Sequence, residues 1–121
     1  MYRFGKRSID NLQGVDARLV YLMSVAIATT TIDFTVIEGL RTKKRQKELY
    51  KAGHSKTMNS KHLKGLAVDI MPYPTAFESP IHIWEKLIDH IEYTADKLKI
   101  NIKCGRDFPT LVDYPHIELR A

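Results

Sequence analysis

The clearest structural signal in the sequence is a stripe of apolar side chains that follows Ser79-Pro80. Its members recur at spacings of three and four, and they are Ile81, Trp84, Ile88, Ile91, Ala95 and Leu98. This spacing is typical of one face of an α-helix that packs against a protein core. Serine is a good N-cap and proline is tolerated in the first turn. We therefore predict a helix that begins at Ser79-Pro80 and buries this stripe.

A second amphipathic pattern and several β-rich runs complete the outline. Apolar residues at the same spacings predict a first helix over residues 10–28. Thr42 is a candidate cap for another helix, which should end at Gly53. The predicted strands cover residues 34–38, 66–71, 100–104 and 116–119. This order predicts an α+β fold with about three helices packed against a small, mostly antiparallel sheet.

Length and charge limit the function classes. The 121 residues suit one compact domain, which we place over residues 1–121. A formal net charge of +5 favours polyanions in general, including nucleic acids and phosphate-bearing wall polymers. No nucleic-acid-binding motif is recognisable, so we expect no specific nucleic-acid partner. The basic run 43–51 on the predicted second helix is either a solvated face or a contact for anionic wall polymers.

Two further features concern the cellular compartment. Cys104 is the only cysteine, so no intramolecular disulfide can form, and we expect it to be a small buried hydrophobe. The basic N-terminus and the apolar run 19–28 resemble a signal peptide only faintly, because charged residues interrupt the approach and the run has helical periodicity. The run is also too short to span a bilayer. We expect synthesis in the cytoplasm without an export signal.

The residues that carry chemistry lie in two segments. In the first, His62 and Asp69 are seven residues apart, and Gly65 between them permits a tight turn. In the second, Asp113 precedes His116 by three residues. Two imidazoles and one carboxylate would leave a fourth zinc position open, which is the pattern of catalytic rather than structural zinc. Such a site could activate water, and a nearby carboxylate could relay its proton.

Spacing alone leaves alternatives open. Histidines and aspartates at these separations also arise without a metal, and a lone histidine is more often structural than catalytic. Glu118 is a rival to Asp113 as general base, because residues 116 and 118 of a strand point to the same face. Pro115 restricts Tyr114, the residue between it and Asp113, to extended geometry.

The motif Ser60-x-His62-x-x-Gly65-x-Ala67-x-Asp69, with the distant Asp113-x-x-His116, resembles the signature of the zinc peptidases that act on peptidoglycan. That family includes D-Ala-D-Ala carboxypeptidases and dipeptidases and phage L-alanyl-D-glutamate endopeptidases. Residues 34–42 resemble the strand and arginine motif of the family, and residues 4–8 resemble the opening of its endolysin branch.

The resemblance implies a role for each matching position. It makes His62, Asp69 and His116 the ligands of Zn²⁺, and it makes Asp113 the general base. Arg41 would stabilise the carbonyl oxygen as it becomes anionic. Ser60 matches a position that contacts substrate, and Gln46 matches one that could shape the pocket. Tyr114 is added as a substrate-binding candidate because it flanks the second motif and could line the substrate groove. The sequence departs from other branches at Ile117, where an aromatic residue is common, and in the short connection 105–113.

The function implied is that of a phage or prophage endolysin that cleaves the peptidoglycan stem peptide, between L-Ala and D-Glu, after the membrane has been permeabilised. We expect it to act as a monomer. One alternative is a D-Ala-D-Ala carboxypeptidase or dipeptidase. A non-enzymatic alternative is a wall-binding module that keeps the fold but has lost activity, although the intact ligand set and Asp113 argue against it.

Overall fold

The computed structural model describes residues 1–55 and 57–120. Four α-helices lie within these ranges: α1 (Lys6–Asn11), α2 (Ala17–Thr29), α3 (Lys43–Lys51) and α4 (Ile81–Leu98). The four strands are β1 (Phe34–Glu38), β2 (Ala67–Pro72), β3 (Ile102–Cys104) and β4 (His116–Leu119). Short 3₁₀ helices cover Lys61–Lys64, Ala76–Glu78 and Gly105–Asp107.

The four strands form one sheet in the order β1-β2-β4-β3, and every neighbouring pair is antiparallel. The predicted α+β class and antiparallel sheet are therefore confirmed. Helices α2 and α4 pack against each other, and their buried residues join those of the strands in one core. The register sets Asp69 of β2 directly opposite His116 of β4. Two of the candidate ligands are thus brought together by the central strand pair.

A single helix was predicted over residues 10–28, and this was wrong because the structure has two helices separated by a break. Helix α1 ends at Asn11 and α2 begins only at Ala17. Between them Gly14 has a φ of +78°, which a right-handed helix cannot contain. Asp16 then caps α2 by accepting a hydrogen bond from the Arg18 amide at 2.9 Å. Leu12, although outside both helices, is still buried, so the periodic pattern identified core residues across a break.

Helix α4 confirms the predicted stripe with two corrections. Pro80 is its N-cap residue, and Ser79 does not cap it, because the Ser79 hydroxyl donates to the Ala76 carbonyl instead. Ile81 at the helix start is 59% exposed, whereas Trp84 is buried as expected. Cys104 is buried too, and this burial raises the pKa of its thiol to about 12. Among the residues described, no helix is long and apolar enough to cross a membrane.

Candidate metal centre

His62 is fixed by its own turn and by a distant carbonyl. The Ser60 hydroxyl accepts a hydrogen bond from the His62 amide at 3.2 Å and so caps the 3₁₀ helix Lys61–Lys64. Inside the protein, Nδ1 of His62 lies 2.9 Å from the Gly39 carbonyl oxygen. A carbonyl can only accept, so Nδ1 carries the proton and donates it. This leaves Nε2 with a free lone pair that faces the candidate site.

Asp69 and His116 complete the cluster from paired positions on β2 and β4. Oδ1 of Asp69 lies 3.2 Å from Nε2 of His62 and 3.3 Å from Nδ1 of His116. One ligand atom from each of the three residues lies within 4.8 Å of the others. The two sequence motifs, which are 47 residues apart between Asp69 and His116, therefore meet at one point.

Glu118 supports the third member of the cluster. Its Oε1 lies 2.8 Å from Nε2 of His116, and its Oε2 lies 3.2 Å from Nζ of Lys61. When Nε2 donates to Glu118, Nδ1 of His116 has a free lone pair that faces Asp69. Residues two apart on a strand point to the same face, and this spacing was the sequence signal for the contact. From the sequence, however, the same spacing suggested that Glu118 was a rival to Asp113 as general base. A carboxylate behind a ligand imidazole is the usual support for a metal-binding histidine.

The donor set fits a divalent metal such as zinc. Both imidazoles have their outer nitrogens hydrogen-bonded and their inner nitrogens directed at the carboxylate. Zinc bonds of about 2.0 Å in a tetrahedron require ligand atoms about 3.3 Å apart. The separations of 3.2 and 3.3 Å match this value. Two histidines with one carboxylate would leave one position for water or substrate.

The charges around the cluster agree with its chemistry. Burial alone would raise the pKa of Asp69, but hydrogen bonds to His116 and His62 outweigh burial and lower that pKa below its usual range. Burial alone would lower the pKa of His116, but the bonds to Asp69 and Glu118 raise it in the metal-free protein. Asp69 is therefore an anion at neutral pH, and protons compete with a metal for His116 from a higher pH than they would for a free histidine.

Asp113 lies beside the cluster on a tight turn. The His116 amide donates to the Asp113 carbonyl at 3.1 Å, which closes a turn over residues 113–116. This turn explains the three-residue spacing of the motif. Burial raises the pKa of the Asp113 carboxyl, and the charge of Asp69 raises it further. Asp113 is therefore a stronger proton acceptor than an exposed aspartate.

Arg41 lies next to the cluster, and three of its N–H groups have partners within the protein. Its side chain is only 8% exposed, and Nε and Nη2 donate to the two carboxylate oxygens of Glu38 at 2.7 Å each. Nη1 donates to Oε1 of Gln46 at 2.7 Å. Three of the five N–H groups of Arg41 are thus used, which leaves two for the cleft. Nη2 also lies 3.8 Å from Oδ2 of Asp69, which places the guanidinium next to the ligand cluster.

The cluster opens into a cleft of about 730 Å³, which Ser60, Arg41 and Asp113 help to line. Gln46 and Tyr114 are not among the lining residues. Gln46 is fully buried beneath Arg41, where its amide also donates to the Ser55 hydroxyl at 2.9 Å. The Tyr114 hydroxyl donates to Glu85 of α4 at 2.8 Å, away from the cleft. These two positions support the walls of the cleft and do not face a substrate in it.

Comparisons with known proteins find L-alanyl-D-glutamate peptidases that are similar to this chain. A family model described as phage L-alanyl-D-glutamate peptidase matches residues 1–120. The L-alanyl-D-glutamate peptidase of Escherichia phage T5 is 27% identical over 98% of this chain and 90% of its own length. The peptidoglycan L-alanyl-D-glutamate endopeptidase CwlK of Bacillus subtilis (strain 168) is 29% identical over 80% of this chain and 66% of its own length.

A crystal structure of the Serratia marcescens L-Ala D-Glu endopeptidase ChiX superposes with a TM-score of 0.87. It is 33% identical and the match covers 98% of this chain and 90% of that one. The fold, the expectation of a peptidase and the resemblance deduced from the motifs are thereby confirmed. The chain belongs to the phage L-alanyl-D-glutamate peptidase family.

Proposed function

We propose that this chain hydrolyses the L-Ala–D-Glu bond of the peptidoglycan stem peptide at a zinc site formed by His62, Asp69 and His116. The observation that carries the proposal is the convergence of one ligand atom from each of these three residues. Each of the two imidazole rings is also hydrogen-bonded through the nitrogen that faces away from the cluster. The T5 and CwlK relatives, whose names specify this bond, support the choice of substrate. The open cleft beside the cluster leaves room for a peptide.

The protein's own residues would carry the proton transfers. A zinc ion held by the three ligands would supply a Lewis acid that polarises the scissile carbonyl and increases the acidity of water. Asp113 accepts a proton from the attacking water and then donates it to the leaving nitrogen. Its raised pKa brings the carboxyl closer to the range in which it can do both. The two remaining N–H groups of Arg41 stabilise the developing oxyanion.

Asp113 is preferred to Glu118 as the general base because the carboxylate of Glu118 is occupied by other contacts. Both oxygens of Glu118 are engaged, one with His116 and the other with Lys61. These contacts outweigh burial and lower the pKa of Glu118, which makes it a weaker proton acceptor. Asp113 has the opposite shift and lines the cleft. We therefore assign base catalysis to Asp113 and support of His116 to Glu118.

The role in the cell is proposed from the same relatives. We infer an endolysin of a phage or prophage that is made in the host cytoplasm and reaches the wall after membrane permeabilisation. Exposed lysines and Arg45 on α3 would favour anionic wall polymers near the substrate. We expect a monomer formed by a single domain over residues 1–121.

The decisive experiment is digestion of purified peptidoglycan followed by mass spectrometry of the new termini, with and without a chelator. We expect new N-terminal D-Glu that disappears with chelator and returns with zinc. Release of D-Ala would instead indicate a carboxypeptidase. His116→Ala should lose both metal and activity, whereas Asp113→Asn should keep the metal and lose activity. Wall binding without any chelator-sensitive product would leave only the binding-module function.

A further inference from the structure

The segment that carries Asp113 has little regular structure of its own. Residues 105–115, here called the Asp113 loop, connect the end of β3 to the start of β4 and contain only a 3₁₀ turn at Gly105–Asp107. A general base must nevertheless be held within a fraction of an ångström of its working position. The loop therefore needs supports from elsewhere in the fold.

One support joins the two ends of the loop through the backbone. The Asp113 amide donates to the Gly105 carbonyl at 2.9 Å. The two chain segments are so close that a Cβ on Gly105 would lie 2.1 Å from the Asp113 carbonyl oxygen. This contact fixes the distance between the ends, and the Ile70 amide of β2 donates to the Pro115 carbonyl at 2.9 Å, which ties the loop to the sheet. Neither hydrogen bond reaches α4.

A second support ties both ends to helix α4 through one residue, Glu85. Its Oε1 accepts the hydroxyl hydrogen bond of Tyr114 at 2.8 Å, next to Asp113 in sequence. Its Oε2 accepts from Nη1 of Arg106 at 2.7 Å, next to Gly105 in sequence. A single carboxylate thus bridges the residue that follows Asp113 and the residue that follows Gly105.

Other acidic residues of α4 hold Arg106 without reaching Tyr114. Nη2 of Arg106 pairs with Asp89 at 2.8 Å and also with Glu92. The Arg106 side chain is only 14% exposed, but Asp89 and Glu92 are 68% and 42% exposed, so solvent weakens each of these two ion pairs. Glu85 differs from Asp89 and Glu92 because it alone contacts both ends of the loop among the residues described.

We propose that Glu85 is a positioning residue for the catalytic carboxylate, acting through Tyr114 and Arg106. The inference rests on the proposed role of Asp113 as general base. Glu85 does not line the cleft and touches no candidate ligand. Its effect should therefore fall on the chemical step and leave metal binding unchanged.

The test compares Glu85→Ala with Glu92→Ala, measured on a soluble muropeptide. Alanine is the best helix former, and in each variant Arg106 keeps two acidic partners, so both proteins should fold. Glu85→Ala should lower kcat about ten- to a hundredfold with unchanged KM and zinc content, since displacements near 1 Å can have such effects. Glu92→Ala should stay within about twofold. Equal kcat values for the two variants would overturn the proposal.

Two further variants separate positioning from a general structural role. Tyr114→Phe should lower kcat less than Glu85→Ala, and it should add nothing to Glu85→Ala, because both changes break one connection. In an Asp113→Asn background, Glu85→Ala should leave the residual rate unchanged. A further loss there of the same factor would show that Glu85 acts independently of Asp113 and would refute the inference. Full activity of Asp113→Asn alone would instead refute the proposed base.

Discussion

Replacement of Gly105 by alanine should damage the site by a displacement whose size follows from the structure. The new Cβ would lie 2.1 Å from the Asp113 carbonyl oxygen and 2.9 Å from Cβ of His116. Real Cβ atoms essentially never approach other heavy atoms closer than 3.0 Å. The Asp113 carbonyl must therefore move away by at least about 0.9 Å, and a backbone atom cannot rotate aside as a flexible side chain can.

Both the catalytic and the stability consequences can be estimated. The displaced backbone belongs to the proposed base, and the second clash involves a proposed ligand. A misplacement near 1 Å lowers rates by about a hundredfold, which is the loss of kcat/KM that we expect. Overpacking of this kind also lowers the free energy of unfolding by about 1–3 kcal/mol. The substitution should therefore reduce activity far more than it reduces the folded fraction.

The assay is release of D-Glu termini from a soluble muropeptide, together with chemical denaturation of each protein. Gly5→Ala is the matched control, because nothing lies within 4 Å of a Cβ placed there. It should retain activity and stability. If Gly105→Ala kept activity within about twofold of the parent while remaining folded, the close approach of Gly105 to Asp113 would not determine the position of the base.

Other predictions concern the metal and its surroundings. Glu118→Gln should weaken zinc binding about ten- to a hundredfold, as loss of an outer partner of a ligand usually does, and equilibrium dialysis would measure it. Because the pKa of His116 is raised in the metal-free protein, protons compete from a higher pH than for free histidine. As the pH is lowered, zinc affinity should therefore begin to fall while the pH is still above the ordinary pKa of histidine. Asp113→Asn should raise the melting temperature of the metal-free protein at pH 7, since a raised pKa means that folding disfavours the ionised carboxylate. This gain in melting temperature should vanish at pH values where Asp113 is protonated in both the folded and the unfolded state. A gain that persisted at those pH values would contradict the reasoning.

The candidate ligands were predicted from the resemblance of two short motifs to those of a family, and the geometry within each motif is local. His62 and Asp69 lie on a turn and the strand that follows it, and His116 opens another strand. Antiparallel pairing of β2 with β4 then places Asp69 opposite His116. The periodic stripes likewise identified part of the core, since burial of one helix face needs no knowledge of the partner. The break between α1 and α2 was missed because Leu12 and Val15 keep the apolar spacing through it.

The supports of the site could not be predicted, because each joins segments that are distant in sequence. Nothing in residues 39 or 62 alone indicates that the Gly39 carbonyl holds the His62 ring. Gln46 and Tyr114 lie near the motifs in sequence, but the sequence does not indicate which way a side chain points. Gln46 lies under Arg41 and Tyr114 points to α4. Both were expected to touch substrate, and their observed contacts favour roles in positioning instead.

The proposed roles of Asp113 and Glu118 differ because their contacts with distant segments of the chain differ. Asp113 and Glu118 flank His116 at similar distances along the chain, so sequence spacing alone treats them as rivals. The fold separates them, because Lys61 reaches from another segment to bind Glu118 and also donates to the Leu119 carbonyl at 2.6 Å. A carboxylate held between a cation and an imidazole is suited to orienting the imidazole. A carboxylate that is partly buried near another anion is suited to accepting a proton, and Asp113 has that environment.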